Sequence, residues 1–519
     1  HKHNVFLRWG SKLFVAFAFL LPIFFVPSQI VTFPFSKGFF LVVYVTVLAL
    51  IFLVGVLKEG KASIPKSYTL LGLLIVLVGY IVSGIFSDQQ NLAFFGQGFE
   101  TDTVFFVLIV TILSLLVPLA FRSKTALFNM FLSLVGAFFI VALFSLIRLF
   151  APSYLTFGIF TSSVSNLLGT WNDLGALAGF VTIFSLISIG ILEVRGLWRI
   201  ALYAGLMLGV VFLALVNFKV VWFIVAFFSL VFLLYFLSYA KHRSGAPTMA
   251  HHVKNVSLAP LFVLIIAVVF ILAGESLGNR ISTALNIVQL EARPSWSTTF
   301  TIGQQTLKDN PVFGAGPNQF VGEWLKYKPQ AVNESLFWNI DFLSGIGTIP
   351  TSLITLGLVG IIAWLVFFVL FGVEGVRSVL KLRGDAFTHY LAFSSFISAI
   401  YFWLVAIFYT PGHVIYALAF LFSGVFVATL VLEGVVAEKH INFSENPGKS
   451  FVGSLITIVL LIGVATCGYL ALQRFTGYAM FNRAIIAYGA DRNLDLVEEK
   501  VRRSVAVERS DVFYRTLTD

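Results

Sequence analysis

The chain has 519 residues, of which 59% are hydrophobic, 16% aromatic and only 11% charged, and its mean hydropathy is +0.95. A soluble domain carries about 25% charged residues, so this composition excludes a soluble globular enzyme and predicts an all-α, polytopic integral membrane bundle. The formal charge of +10 does not point to nucleic acid. The basic residues fall in short clusters between apolar runs, where they orient helices in a bilayer, and are not gathered on one soluble face.

A membrane-crossing helix needs about 20 apolar residues. Runs of that kind predict spans at 13–28, 38–57, 68–86, 103–121, 126–149, 174–192, 197–217, 220–239, 258–274, 351–372, 386–408, 414–432 and 452–472. The total is twelve or thirteen helices, because Asn217-Phe218-Lys219 is a minimal corner splitting one long apolar stretch. The first run lacks a small-residue cleavage site and simply begins the series. The chain opens on His1 and not on methionine, and a trimmed chain or a fragment is expected.

Lysine and arginine set the orientation. With the N-terminus inside, the inner corners carry Lys58, Lys61, Lys66, Arg122, Lys124, Arg195 and Arg199, then Arg377, Lys381, Lys439 and Lys449. The short outer corners carry only Lys37, Arg148 and Lys219. The expected units are therefore membrane helices over 1–274, one long external loop over 275–350, further membrane helices over 351–472 and an external tail over 473–519. The tail reads as a helix–turn–helix broken at Gly489-Ala490-Asp491, with its second helix from about Leu494. It resembles one tetratricopeptide unit. A single unit cannot bury its own face, so more repeats and a protein partner are expected; the alternative is an amphipathic helix pair on the membrane surface.

The one cysteine, Cys467, lies in an apolar run and excludes an intrachain disulfide or a cysteine metal cluster. Of the eight histidines, only His413 falls on the outer side. It is either a catalytic group or a helix-end histidine satisfied by backbone carbonyls. The adjacent pair His251-His252 in an inner loop is weak support for a metal, and no cofactor or metal is expected. Lys219, at the tightest outer corner, is costly unless it is paired, faces a polar cavity or snorkels to the headgroups. Arg280 and Arg293 belong to the long loop, and a guanidinium fork suits phosphate; a solvated loop cation is the ordinary alternative for either one. Three outer motifs are turns with interfacial aromatics: Asn166–Asp173, which includes Asn172 and Asp173; Phe95–Asp102; and Pro311–Phe320 with Gly314 and Gly316.

These residues resemble the O-antigen ligase and polymerase superfamily of bacterial membrane glycosyltransferases. The loop pattern of arginine, tryptophan and N-P-x-F-G-x-G-P-x-x-F is similar to Arg293, Trp296 and Asn310–Phe320. The polar opening of a span at Gly169–Gly175, the L-G-x-x-G of Leu356–Gly360 and a basic outer corner at Lys219 are similar as well. The resemblance implies metal-independent transfer of a glycan from an undecaprenyl-diphosphate carrier to an acceptor hydroxyl outside the bacterial cytoplasmic membrane. The acceptor would be a lipid, a polysaccharide or a surface protein, and Lys219, Arg293 and Arg280 would hold the donor diphosphate. Ligases carry a His-Asn pair late in the loop, and here the counterpart is Trp338-Asn339. The base is then expected to be His413, Asp341 or Glu334. A polysaccharide polymerase, a lipid-linked-sugar transporter and a non-catalytic scaffold are the alternatives. Against transport, the spans are nearly free of charge at their centres.

Overall fold

The computed structural model describes residues 5–241, 258–289, 291–334, 337–382, 385–443, 446–491, 494–508 and 510–518. His251 and His252 lie outside the described residues. The chain is a polytopic all-α bundle. Among the described residues eleven helices are long and apolar enough to cross a membrane, and two shorter apolar helices, Trp9–Ile23 and Val104–Ala120, accompany them.

In chain order the first half is α1 (Val5–Ile23), α2 (Phe33–Glu59), β1 (Lys61–Pro65), α3 (Tyr68–Ile85), α4 (Gln90–Phe95), α5 (Val104–Ala120), α6 (Lys124–Phe150), α7 (Trp171–Ile191), α8 (Leu197–Val216), α9 (Lys219–Lys241) and α10 (Ala259–Ala284). The second half is α11 (Trp296–Asp309), α12 (Phe320–Tyr327), α13 (Thr348–Lys381), α14 (Ala386–Phe408), α15 (His413–Leu432), β2 (Glu438–Asn442), α16 (Pro447–Asp491), α17 (Leu494–Val507) and α18 (Asp511–Thr518). Helices α7 and α15 are apolar on every side and buried almost throughout, which is how a helix without a polar face is accommodated. Small residues permit close approach: a Cβ on Gly209 would lie 2.5 Å from the Thr182 hydroxyl across the α7–α8 contact.

The two ends of the bundle differ. At one end the strands β1 and β2 form an antiparallel ribbon that pairs Lys61 with Asn442 and Pro65 with Glu438. Ion pairs tie this ribbon end together, Arg122 to Glu438 at 3.0 Å and Lys124 to Glu433 at 2.9 Å. Glu374 accepts hydrogen bonds from the Tyr68 and Thr69 amides, satisfying donors that the start of α3 leaves open. The ribbon was not expected from the sequence, because five-residue segments beside long apolar runs carry little strand signal.

The opposite, loop end carries residues 275–350, and this segment is largely helical. Helix α10 continues ten residues past Gly274, and α11 and α12 follow. Helix α13 is broken by Gly357, whose φ of 63° and ψ of −150° are not helical. At the C-terminus no boundary separates span from tail, since α16 runs unbroken across residue 473 to Asp491. Helix α17 then packs back on it, with Phe481, Ala484, Val501 and Phe513 in a small separate core.

Candidate functional site

The cations at the loop end can be sorted by what they bind. Lys37 is buried and donates to the carbonyls of Leu21 and Pro22 at 3.2 and 2.9 Å, satisfying open acceptors at the end of α1. Arg148 is buried and spans four carbonyls, those of Pro152, Tyr154, Phe160 and Ser162, so its charge organises the α6–α7 connection. Arg474 holds the Phe95 and Gly96 carbonyls and pairs with Glu508 at 3.6 Å. These three are committed to structure. Among the described residues Lys219 and Arg280 have no such partners, and Arg293 spends only part of its hydrogen-bonding capacity.

Asn217 explains the corner beside Lys219. It closes α8 in the left-handed conformation (φ 51°), which asparagine tolerates, and its amide donates to the Gly274 carbonyl at 2.7 Å. The corner is thereby fastened to α10. Lys219 opens α9 with its side chain exposed, and Arg280 is exposed on the last turns of α10. Neither has a side-chain partner among the described residues.

Arg293 sits against the same corner. Its guanidinium lies 5.3 Å from the Phe218 ring centre and 5.4 Å from that of Tyr409, and the two rings meet edge to face at 4.9 Å. It donates to the Phe408 carbonyl at 3.2 Å and forms no ion pair within the described residues. The cation is therefore held by aromatic faces and one carbonyl, which leaves most of its five donors unused. Burial lowers its pKa, opposed by Tyr409 and Glu291, and a guanidinium stays protonated regardless.

Tyr409 links three elements. Its hydroxyl donates to Glu291 at 2.6 Å and lies 3.0 Å from the Thr170 hydroxyl, which in turn caps α7 by accepting from the Asp173 amide at 3.0 Å. Burial, with Asp173 and Glu291 nearby, raises the Tyr409 pKa well above its ordinary value, so it remains a donor. The Asp173 carboxylate is buried and accepts from the Gly412 amide at 3.1 and 3.2 Å, bracing the start of α15. Glu291 uses one oxygen for Tyr409, and its other oxygen is buried without a partner. Burial raises the Glu291 pKa, while the Tyr409 bond and the Arg293 charge oppose the rise.

Other residues singled out from the sequence fall elsewhere. His413 is the first residue of α15, and its Nε2 lies 2.8 Å from the Phe99 carbonyl, the arrangement of a helix-end histidine satisfied by backbone. Asp341, Glu334, Trp338 and Asn339 are exposed in the segment after α12, with Lys328 donating to the Trp338 carbonyl at 3.1 Å. Asn172 is half-buried on the first turn of α7, and Trp296 begins α11 edge-on to Phe408 at 6.1 Å.

Gly314 and Gly316 join two motifs that are distant in sequence. The turn 310–318 docks into the break of α13: the Gly316 amide donates to Thr355, while the Leu358 and Val359 amides donate to Pro311 and Val312, at 2.7, 3.0 and 3.1 Å. A Cβ on Gly314 would lie 2.4 Å from the Ile354 carbonyl oxygen, and one on Gly357 would lie 2.4 Å from the Gly314 nitrogen. Both also have φ near +64° (64° and 63°), so glycine is required twice over. Asp102 completes the lock. One of its oxygens accepts from the Asn318 amide and the Thr355 hydroxyl, both at 3.1 Å, and the other accepts from Tyr80 at 2.9 Å. Burial raises its pKa to about 6.

Glu291 and Tyr409 were missed as site residues by sequence reasoning. A signal existed for Glu291: residues i and i+2 of an extended segment face the same way, which aligns Glu291 with Arg293. Tyr409 carried no comparable signal, because its role comes from the meeting of α7, α9 and the loop. Among the described residues no group of three or more His, Cys, Asp or Glu is arranged to hold a metal. In comparison with known proteins, no family model and no curated protein matches the chain.

Proposed function

We propose that this protein transfers a glycan from an undecaprenyl-diphosphate-linked donor to an acceptor hydroxyl at the loop end of the bundle. The observation that carries the proposal is Arg293, with most of its donors unused, meeting the half-satisfied carboxylate of Glu291 on Tyr409 at the corner that Lys219 follows in the chain. Arg293 lies on Phe218, the residue preceding Lys219, and Glu291 reaches the same Tyr409 ring that Arg293 covers. Two cations with free donors suit a diphosphate at the membrane surface, and Arg280 on the neighbouring helix adds charge to its approach.

In the proposed reaction the acceptor oxygen attacks the anomeric carbon of the donor sugar. The bond from that carbon to the diphosphate oxygen breaks, and the diphosphate leaves with the electron pair. Arg293 and Lys219 stabilise the charge gathering on the leaving group. The hydroxyl proton passes to the free oxygen of Glu291, a stronger base for having its pKa raised by burial; that oxygen is covered in the unliganded protein, so the step requires the entering acceptor to uncover it. Asp173 and Tyr409 are positioning residues: one braces the α14–α15 corner and the other orients Glu291. A lipid-linked-sugar transporter is disfavoured, because buried charged residues such as Lys37, Arg148, Asp173 and Glu374 fall near helix ends and not at mid-span.

The test is product formation in nanodiscs from a purified undecaprenyl-diphosphate-linked donor, with EDTA present. The wild type is expected to be active and indifferent to chelator. Arg293→Ala should lose roughly 10²–10³-fold in turnover, as for removal of a group stabilising transition-state charge, and Lys219→Ala should lose activity as well. A wild type that binds donors of several sugars yet transfers none of them refutes the proposal and favours a scaffold.

A further inference from the structure

At the ribbon end, far from the Arg293 corner, an apolar cavity of about 870 Å³ opens between α2, α3, α5 and α16. Its walls are almost wholly hydrocarbon, and the apolar residues of the ribbon, Ile64 and Ile441, close it below. It opens sideways: Leu71, Leu74, Ile456 and Leu460 line it and are 48%, 38%, 55% and 52% exposed. All four stand on helices long and apolar enough to cross a membrane. In a bilayer such a chamber meets acyl chains and not water. Its size is that of pockets that hold a whole small ligand, about 300–1,000 Å³, so it is more than a groove between lipid-facing helices.

A second, more polar cavity of about 560 Å³ adjoins it, sharing the lining residues Phe52, Val56, Ala62, Ser63, Leu119 and Ile441. Its rim carries Lys61, Arg122, Glu59, Glu438 and His440, and Lys66 lines the apolar chamber itself. Glu438 is already consumed by Arg122 at 3.0 Å and by the Ser63 hydroxyl at 2.7 Å. Lys61 and Lys66 are exposed and have no partner among the described residues. The combined shape is a hydrocarbon chamber with Lys66 in its wall, beside a vestibule whose rim carries Lys61 and, opposing it, Glu59.

We infer that this is a site for one anionic phospholipid, with acyl chains between α3, α5 and α16, its phosphate on Lys66, and Lys61 adding positive charge from the adjoining vestibule. The lipid comes from the leaflet at the ribbon end, which the lysine and arginine distribution assigns to the cytoplasmic side. The site is separate from the donor site proposed above, and its occupancy can be read without any transfer assay.

The experiment is native mass spectrometry of the purified full chain, incubated with equimolar phosphatidylglycerol and phosphatidylethanolamine. One phosphatidylglycerol is expected to survive collisional activation that strips the zwitterionic lipid. Lys61→Gln and Lys66→Gln should each lower its retention about fivefold, as expected for a basic residue against an anionic lipid surface. Leu460→Trp, which narrows the lateral mouth, should lower it further. Both lysines are exposed and unpaired, so unchanged thermal unfolding of the double variant certifies the fold. Equal retention of the two lipids, or retention indifferent to both lysine substitutions, overturns the inference. Displacement of the lipid by glycerol phosphate alone also overturns it, because the chamber would then contribute nothing.

Discussion

At the scale of single residues, the loop-end site turns on how Arg293 and Glu291 avoid cancelling each other. A direct ion pair would satisfy both, but the guanidinium lies instead over Phe218 and Tyr409, and the carboxylate accepts from the Tyr409 hydroxyl. Each therefore keeps free hydrogen-bonding capacity while lowering the cost of burying the other. The pH dependence of transfer follows from this arrangement. Burial raises the Glu291 pKa, and the Tyr409 hydroxyl opposes that rise. A general base works only when ionised, so the acidic limb of the turnover profile should lie above the ordinary glutamate range. Tyr409→Phe removes one stabilising bond from the carboxylate and should move that limb to still higher pH, with the plateau less affected. Glu291→Gln should abolish the limb and lower turnover by about 10²-fold or more. A limb unmoved in Tyr409→Phe would take Glu291 out of the proton transfer. Arg293 was legible in the sequence because an arginine in a polar external loop stands out. Glu291 was legible only as a neighbour two residues before Arg293; its role depends on a tyrosine 118 residues away.

At the scale of elements, the turn 310–318 and the broken helix α13 form one device. A transmembrane helix normally has no open amides in its interior. The break at Gly357 frees the amides of Leu358 and Val359, and the turn's carbonyls accept them. Asp102 binds the two halves together through Asn318 and Thr355. Its carboxyl is raised from the ordinary 3.8 to about 6, and this fixes the sign of a stability effect. Below about pH 4 the group is neutral in both folded and unfolded chains and costs nothing. As pH rises through 6 the folded protein must carry a buried carboxylate, so its contribution to stability is lost over that interval. Thermal unfolding in detergent should therefore show a melting point that declines between pH 4 and pH 7 from this group. Asp102→Asn should flatten the decline: the amide oxygen can serve Asn318 and Thr355, and the amide nitrogen can donate to Tyr80. An identical slope in the variant would assign the pH dependence elsewhere. Both motifs could be read from the sequence, one as a glycine turn and the other as part of a span. Their docking could not, because α12 and the connection that follows it separate them in the chain.

At the scale of the whole molecule, the periodicity of apolar runs gave helix positions to within a few residues wherever a helix ends at the edge of the hydrocarbon. It failed at α1, which runs Val5–Ile23 against the predicted 13–28, and where helices continue into water: α10 beyond Gly274, α13 beyond 372 and α16 beyond 472 run on through polar sequence, where hydropathy falls but helix geometry does not. Orientation rests on the asymmetry of lysine and arginine. At the loop end Lys37 and Arg148 spend their charge on carbonyls while Lys219 and Arg280 stay exposed, and at the ribbon end Lys61, Lys66 and Lys439 are exposed together. Free cations facing the cytoplasmic leaflet are what positive-inside insertion selects. The expectation can be measured by labelling, since the chain holds a single cysteine, Cys467. In a Cys467→Ser background, Lys308→Cys on α11 should react with a membrane-impermeant maleimide added to intact spheroplasts. Lys439→Cys on β2 should react only after permeabilisation. Both positions are exposed, so access and not burial decides the result. The reverse pattern would put Arg293, Lys219 and Glu291 in the cytoplasm, where the donor would be met before it crosses the membrane. Glycan transfer to an external acceptor would then be untenable, and the lysine-rimmed chamber would face the outer leaflet.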